Sequence, residues 1–483
     1  MGVPAVAPRE RVVVGLAGAT LVFSAWGLAG VQLWSLHTLL VGGLLTWCVS
    51  IIPLPSAWNG MDGEHGNVRN IKRLLQFPVF WLSVAFMAYI FIQGLNPAWV
   101  QLRDERGWWV EEVDGIAWLP SGVDATYVPM NAFRVLSSFV ATFTLVWGLW
   151  VGVRRRKSAI IVLWSLIISG VGMAIVAILQ KFSGADAVLW TVPSSNPNFW
   201  GTFFYRNQAV GYLNLIICAC GVLYFYHFNQ AERRGLSGGP HLLLFVFVAV
   251  LYTSIGLALS RGGIVFGSVL AICFFVLAAA RWMFSGSMQH SIVLTVLIAL
   301  LLGSGAYTMF QYVNLDDIER RFGDIEATIR TADQDSRMIT TKITWKMAQE
   351  RLWLGWGAGS WRYIFPMYQK SYPEIYYERY HPTRGWIGRK FYKYAHNDIV
   401  QFLCEYGIIG SGCLVLIVGC WVWCLLIRSP GNALSAVMLL IGLSMAFVHA
   451  GVDFIFQSPV YWLVFNGLLC VSVRLLSLHG KRT

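Results

Sequence analysis

Residues 242–280 read LLLFVFVAVLYTSIGLALSRGGIVFGSVLAICFFVLAAA, 39 positions with a single charge, at Arg261. A helix crosses the hydrocarbon core with about 20 predominantly apolar residues. The stretch is therefore two spans joined by the hairpin Ser260-Arg261-Gly262-Gly263. Ten more apolar segments surround it, near 12–30, 34–53, 78–95, 134–152, 158–179, 209–227, 291–309, 402–427, 433–449 and 458–476. Composition agrees: of 483 residues, 57% are hydrophobic and 12% charged, against about 25% charged in soluble domains. A water-soluble multidomain enzyme, a disordered chain and a coiled coil are excluded. The expected fold class is an all-α polytopic membrane protein of about twelve transmembrane helices.

The 36 Lys and Arg outnumber the 24 Asp and Glu, for a net charge of +12. They fall on alternate connections: Arg9 and Arg11; Arg69, Lys72 and Arg73; Arg154 to Lys157; Arg233 and Arg234; Arg281; Arg428; then Arg474, Lys481 and Arg482. By the positive-inside rule both termini are expected in the cytoplasm, the first span being an anchor rather than a cleaved signal. Three outward loops remain, near 96–133, 180–208 and 310–401. The chain then divides into helices 1–9 over 1–309, the large loop over 310–401, and helices 10–12 with a short tail over 402–483. The large loop exceeds ordinary connections and should hold two amphipathic helices. One covers Asp316 to Arg330. The other runs from Ser336 to Leu352, with Ile339, Ile343 and Met347 every fourth residue and Asp335 as N-cap. All nine cysteines lie in or beside apolar spans, so the sequence offers no disulfide framework and no metal cluster.

The polar residues that stand out gather on the outward side. Arg206 and Asn207 enter the sixth span among aromatics, and Arg261 sits in the hairpin quoted above. An arginine near the membrane core costs about 2.5–3.5 kcal/mol on insertion scales, so its presence asks for a partner, which an anionic ligand would supply. Gly355-Trp356-Gly357-Ala358-Gly359-Ser360-Trp361 spaces three glycines two apart, and Gly357 and Gly359 let backbone amides approach an anion or a sugar. His396 stands just before the tenth span, with Asn397, Asp398 and Glu405 able to orient its ring. His449 and Asp453, four apart on the last outward turn, form a supporting shell. Arg337 is a third candidate cation, with an intrahelical ion pair as the competing reading. Trp108, Trp109, Trp118, Trp356, Trp361 and Tyr363 are available either to anchor at the interface or to stack on sugars.

Four pieces together resemble a known family. They are Gly201-Thr202-Phe203 to Arg206-Asn207 running into Gly211-Tyr212, the Ser260–Gly263 hairpin, the Gly355–Ser360 turn, and His396-Asn397-Asp398 followed by Glu405-Tyr406-Gly407-Ile408-Ile409-Gly410. The chain resembles the O-antigen ligase and polymerase superfamily, bacterial envelope polysaccharide glycosyltransferases of the GT-C type, over roughly residues 130–470. It departs from relatives that carry an Asn-Arg-Asn-His-like run, having Tyr205-Arg206-Asn207-Gln208 instead. The resemblance implies metal-independent transfer, without a cofactor, of a glycan from undecaprenyl pyrophosphate to an acceptor hydroxyl on the periplasmic side. The acceptor would be a lipid, a polysaccharide or a protein.

The residue chemistry suits that reaction. Arginine presents a planar fork of donors to pyrophosphate, so Arg206 and Arg261 are expected on the leaving group, with His396 as general base in an inverting attack. Two other readings fit twelve spans: a transporter or flippase for a lipid-linked or anionic glycan, and a non-catalytic scaffold. Against the transporter stand the lack of an internal repeat and the position of the strongest charges at the outer ends rather than at the midplane.

Overall fold

The structure, a computed structural model, describes residues 6–105, 107–236, 239–283, 336–381, 383–428 and 432–478. Its longer helices are α1 Pro8–Trp26, α2 Leu33–Ile51, α3 Gly66–Leu75, α4 Pro78–Leu95, α5 Ala132–Gly152, α6 Arg156–Phe182, α7 Arg206–Arg233, α8 His241–Leu257 and α9 Arg261–Met283. The chain continues with α10 Ser336–Glu350, α11 Trp361–Gln369, α12 Asp398–Arg428, α13 Ala433–Ala450 and α14 Pro459–Ser477. Apart from α3, α10 and α11, each falls on an expected span. The expected span near 291–309, the helix over Asp316 to Arg330 and the Asp335 cap lie outside the described residues. Nine helices among the described residues are long and apolar enough to cross a membrane. The protein is an all-α polytopic membrane protein.

Burial sorts these helices. α7 is enclosed along its whole apolar window, whereas α12 is only 28% buried over its own, which leaves α12 facing lipid and α7 at the centre. Close approach of α2 and α5 requires glycine. A Cβ on Gly43 would lie 2.5 Å from the Ala141 carbonyl oxygen, and one on Gly148 would lie 2.7 Å from Thr46 Cγ2. Small residues at such crossings let backbones pack where lipid gives no hydrophobic drive. At the end of the bundle carrying the basic connections, Glu10 Oε1 accepts the amides of Arg154 (2.8 Å) and Arg155 (2.9 Å). Arg9 there donates to Ile52 O at 2.6 Å and Asn67 Oδ1 at 2.8 Å.

The other end carries a cap that sequence reasoning read as loop and helix only. Strands β1 Pro97–Asp104, β2 Gly107–Glu112 and β3 Gly122–Asp124 form a sheet of order β2-β1-β3, with β1 antiparallel to β2 and parallel to β3. The alternation Val100-Gln101-Leu102-Arg103, matched across the pair by Trp109-Val110-Glu111, is the period-two pattern of a strand. A second pair, β4 Arg379–His381 with β5 Gly385–Ile387, is antiparallel. The helix expected from Ser336 to Leu352 ends at Glu350, and its Ile339, Ile343 and Met347 are buried as the spacing predicts. They join Val123, Trp356, Trp361, Tyr363 and Phe365 in a hydrophobic core of the cap's own. This corrects one expectation: Trp356, Trp361 and Tyr363 are core residues, while Trp118 remains 77% exposed.

α12 is broken at Gly407, whose φ of 60° is left-handed. The backbone of residues 352–357 fills the break. Trp356 and Gly357 amides donate to the carbonyls of Cys404 (2.8 Å) and Glu405 (2.9 Å), and the Ile408 amide donates to Leu352 O at 2.8 Å. From α4, the Tyr89 hydroxyl donates to Leu354 O (2.6 Å) and Tyr406 O (2.9 Å). Non-helical backbone inside a bilayer protein is tolerated only where protein or water satisfies it. Here the cap supplies the missing partners.

Candidate active site

Helix direction alone collects the chemistry at the capped end. α7, α9, α12 and α14 all start there and α13 ends there, so Arg206, Arg261, His396 and Asp453 each occupy a helix terminus or the adjoining turn. His396 has φ 58°, in the left-handed region. Histidine tolerates that conformation better than most residues, and such strain persists where surrounding structure over-determines it. The turn brings His396 Nδ1 to 3.8 Å from Asp453 Oδ1, an electrostatic contact rather than a short hydrogen bond. Asn207 Nδ2 donates to Asp453 Oδ2 and lies 3.2 Å from the Tyr205 hydroxyl.

Phe454 organises the aromatic wall. Tyr205 stacks on it with centroids 4.6 Å apart, Tyr394 lies tilted at 4.9 Å, and His396 meets it edge-on at 4.7 Å. Burial pushes the Tyr205 phenol up, helped by the Asp453 charge and opposed by Arg337 and Arg206. Burial alone would also raise the Asp453 carboxyl. His396, His449 and Arg337 outweigh it and hold Asp453 below the ordinary aspartate value. Arg337 thus belongs to this cluster: its charge acts on Tyr205 and Asp453, across the space between α10 and the starts of α7 and α12.

Arg206 lines a cavity of about 390 Å³ between the 180–208 loop and the turn at Leu257, Ala258 and Leu259, with Lys181 and Asn198 on its wall. The volume lies within the range of ligand pockets, about 300–1,000 Å³. Arg261 follows that turn as the first residue of α9. The next residue, Gly262, lies beside His449, where a Cβ would meet Nε2 at an ordinary contact distance of 3.5 Å. His449 is buried with its ring 4.9 Å from Phe266.

The remaining candidates hold the framework. Asn397 Oδ1 caps α12 by accepting the Val400 amide at 3.1 Å. Asp398 is buried and ties α12 to the turn before α14, accepting from the Phe456 amide (2.7 Å) and Gln457 Nε2 (3.0 Å). Neither carboxylate nor amide of this pair meets the His396 ring; Asp453, 57 residues on, is the acidic partner. Glu405 does not meet the His396 ring either. Its carboxylate takes the amides of Gly359 and Trp361 and Gln401 Nε2 at 3.1 Å, while Gln401 Oε1 holds the Ala395 amide at 2.9 Å. The amides of the glycine turn are occupied, and the group on them is the Glu405 carboxyl. Gly357 has no room for a ligand either, since a Cβ there would sit 2.4 Å from Gly122 Cα.

Tyr205, Tyr394 and Phe454 went unsingled in the sequence, although aromatics flanking Arg206, His396 and Asp453 were the available signal. Among the described residues, no group of three or more His, Cys, Asp or Glu is placed to hold a metal ion. Residues 244–415 match the model of a protein family described as O-antigen ligase. No curated protein matches the chain. The matched segment contains Arg261, Arg337, the glycine turn, His396 and Glu405, and it supports a membrane glycosyltransferase of the ligase or polymerase type. That match supports the O-antigen ligase and polymerase superfamily over residues 244–415.

Proposed function

We propose that the protein transfers a glycan from undecaprenyl pyrophosphate to an acceptor hydroxyl on the periplasmic side of a bacterial inner membrane, by direct inverting attack and without a metal or cofactor. The observation that carries this reading is the meeting of His396 with Asp453, beside Asn207 and within the field of Arg337. Orientation rests on the positive-inside rule, since the capped end is the one without the basic connections.

In the proposed step His396 removes the proton of the acceptor hydroxyl as its oxygen attacks the anomeric carbon. The bond from that carbon to the pyrophosphate oxygen breaks with inversion, and the leaving diphosphate carries away the electron pair. Arg206 and Arg261 neutralise the departing charge, with Arg337 as a third cation. Asp453 stabilises the imidazolium that forms and fixes the ring tautomer. Asn207 holds Asp453 in register. Asn397, Asp398 and Glu405 act on the backbone that presents His396, His449 supports Asp453 from below, and Gly357 and Gly359 keep the cap seated rather than contacting substrate. A lipid-linked donor suits a compartment without nucleotide sugars.

The test uses purified protein in nanodiscs with a lipid-pyrophosphate-linked glycan and candidate acceptors. Glycan appearing on the acceptor, lost in His396→Ala with unchanged melting, is the expected result. Movement of the intact donor across the bilayer without a new glycosidic bond would overturn the reading in favour of a flippase.

A further inference from the structure

The end of the bundle opposite the cap carries a short helix that forms no span and holds no group of the candidate site. α3, Gly66–Leu75, lies in the connection between α2, which ends at Ile51, and α4, which begins at Pro78. It therefore sits at the level where two spans leave the bilayer. Its ten residues, GNVRNIKRLL, divide by helical angle into three faces. Gly66, Asn70 and Leu74 form the buried one. Asn70 Nδ2 donates to Ser50 O at 2.8 Å, and its Oδ1 accepts from Arg154. Asn67 Nδ2 donates to Leu54 O at 3.0 Å, and its Oδ1 accepts from Arg9 at 2.8 Å. These bonds fix the helix against the end of α2 and settle which way its other two faces turn.

The second face is apolar and uncovered. Val68, Ile71 and Leu75 recur at the three- and four-residue spacing of one helix side and are 69%, 45% and 47% exposed. Trp81, exposed in the first turn of α4, donates its indole N–H to Leu75 O at 2.9 Å, a placement that suits tryptophan at a membrane–water boundary. The third face is basic: Arg69 and Lys72 are exposed and Arg73 is half-buried beside them, and α3 contains no Asp or Glu. An apolar strip beside a basic strip is the pattern of a helix lying in a lipid interface. A soluble polyanion needs no apolar strip, and a zwitterionic lipid headgroup cancels the charge of its own phosphate. We propose that α3 is a binding site for an anionic glycerophospholipid, its phosphate on Arg69 and Lys72 with Arg73 alongside, and its acyl chains against Val68, Ile71 and Leu75. The site is independent of the transferase reading, since His396 lies at the other end of the bundle.

The test uses full-length protein in detergent, stripped of lipid and titrated with phosphatidylglycerol or phosphatidylcholine of identical acyl chains, or with glycerol phosphate. Bound lipid is counted by native mass spectrometry. Phosphatidylglycerol should bind more tightly than phosphatidylcholine, and glycerol phosphate should not displace it. Each cation near an anionic lipid surface contributes about fivefold, so Arg69→Gln combined with Lys72→Gln should weaken phosphatidylglycerol about twentyfold to thirtyfold and leave phosphatidylcholine unchanged. Arg69→Lys, which keeps the charge, should retain the preference, and the preference should shrink in about 0.5 M NaCl, where exposed charges are screened. Val68→Gln combined with Ile71→Gln keeps the cations and should weaken both lipids alike, by roughly tenfold. Melting temperature is the folding control for each variant. Equal affinity for the two lipids in the wild type, or a preference undiminished in the folded Arg69→Gln, Lys72→Gln protein, would overturn the site. Displacement by glycerol phosphate, with no loss in the apolar variant, would overturn it in favour of a soluble phosphate.

Discussion

His396 Nδ1 stands 3.8 Å from Asp453 Oδ1, and the other oxygen of that carboxylate accepts from Asn207, the second residue of α7. One acidic side chain thereby couples three elements that begin or end at the capped face. Asp453→Asn keeps the shape but removes the charge that stabilises a protonated imidazole. Transfer should fall about a hundredfold or more, within the range of general-base contributions, with donor KM little changed. Steady-state rates with donor and acceptor varied separately check this; an unaltered rate would leave Asp453 a purely structural residue.

The same carboxylate sets a pH dependence. Its value in the folded protein is held below the ordinary one despite burial, so ionised Asp453 stabilises the fold. That contribution is fully present above the unfolded-state value of about 4 and is lost as pH falls through the lower folded value. Melting curves of wild type and Asp453→Asn should therefore differ at neutral pH and converge below about pH 4. A gap that stays constant well below that acidity, through the lower folded value, would contradict the linkage.

Arg206→Lys and Arg261→Lys preserve charge and lose the planar fork. Each should weaken binding of an undecaprenyl pyrophosphate donor about tenfold to a hundredfold without lowering melting temperature. Isothermal titration in nanodiscs is the measurement, and donor affinity unchanged in both variants would reassign the two arginines to contacts with headgroups.

Gln93 on α4 is buried and fastens the cap to the broken helix. Its Nε2 reaches Leu354 O (3.3 Å) and Glu405 O (3.1 Å), and its Oε1 accepts the Ala358 amide at 3.0 Å. Gln93→Ala should cost about 1–3 kcal/mol, because it strands the buried Ala358 amide, while Leu354 O keeps Tyr89 and Glu405 O keeps the Gly357 amide. Gly407→Ala should be worse, because φ is 60° and the new Cβ would lie 2.3 Å from Trp353 O. Protease nicking of the cap and melting in detergent would register both; wild-type resistance in either variant would show that the seam carries little of the stability.

Much of the fold was legible because the bilayer makes span formation a local matter. Each window of about 20 apolar residues must satisfy its own backbone, and so Pro78–Leu95 and Ala433–Ala450 fall where hydropathy puts them. Counting spans also fixes which ends coincide, which is why Arg206, Arg261 and His396 share one end of the bundle. The strands of the cap were missed because the Trp99 to Glu112 alternation competes with a general excess of tryptophan that suits membrane interfaces equally well.

The sequence by itself determined the membrane class, the helices and the common end of the reactive groups. Only tertiary structure decided which polar side chain faces which. Asp453 rather than Asn397, Asp398 or Glu405 meets His396, Glu405 rather than a ligand fills the amides of the glycine turn, and Arg337 reaches the site from α10. With Asn207 on Asp453, such pairings join residues up to 246 positions apart. They depend on how each helix is rotated about its axis, and apolar periodicity leaves that rotation open until neighbouring helices pack.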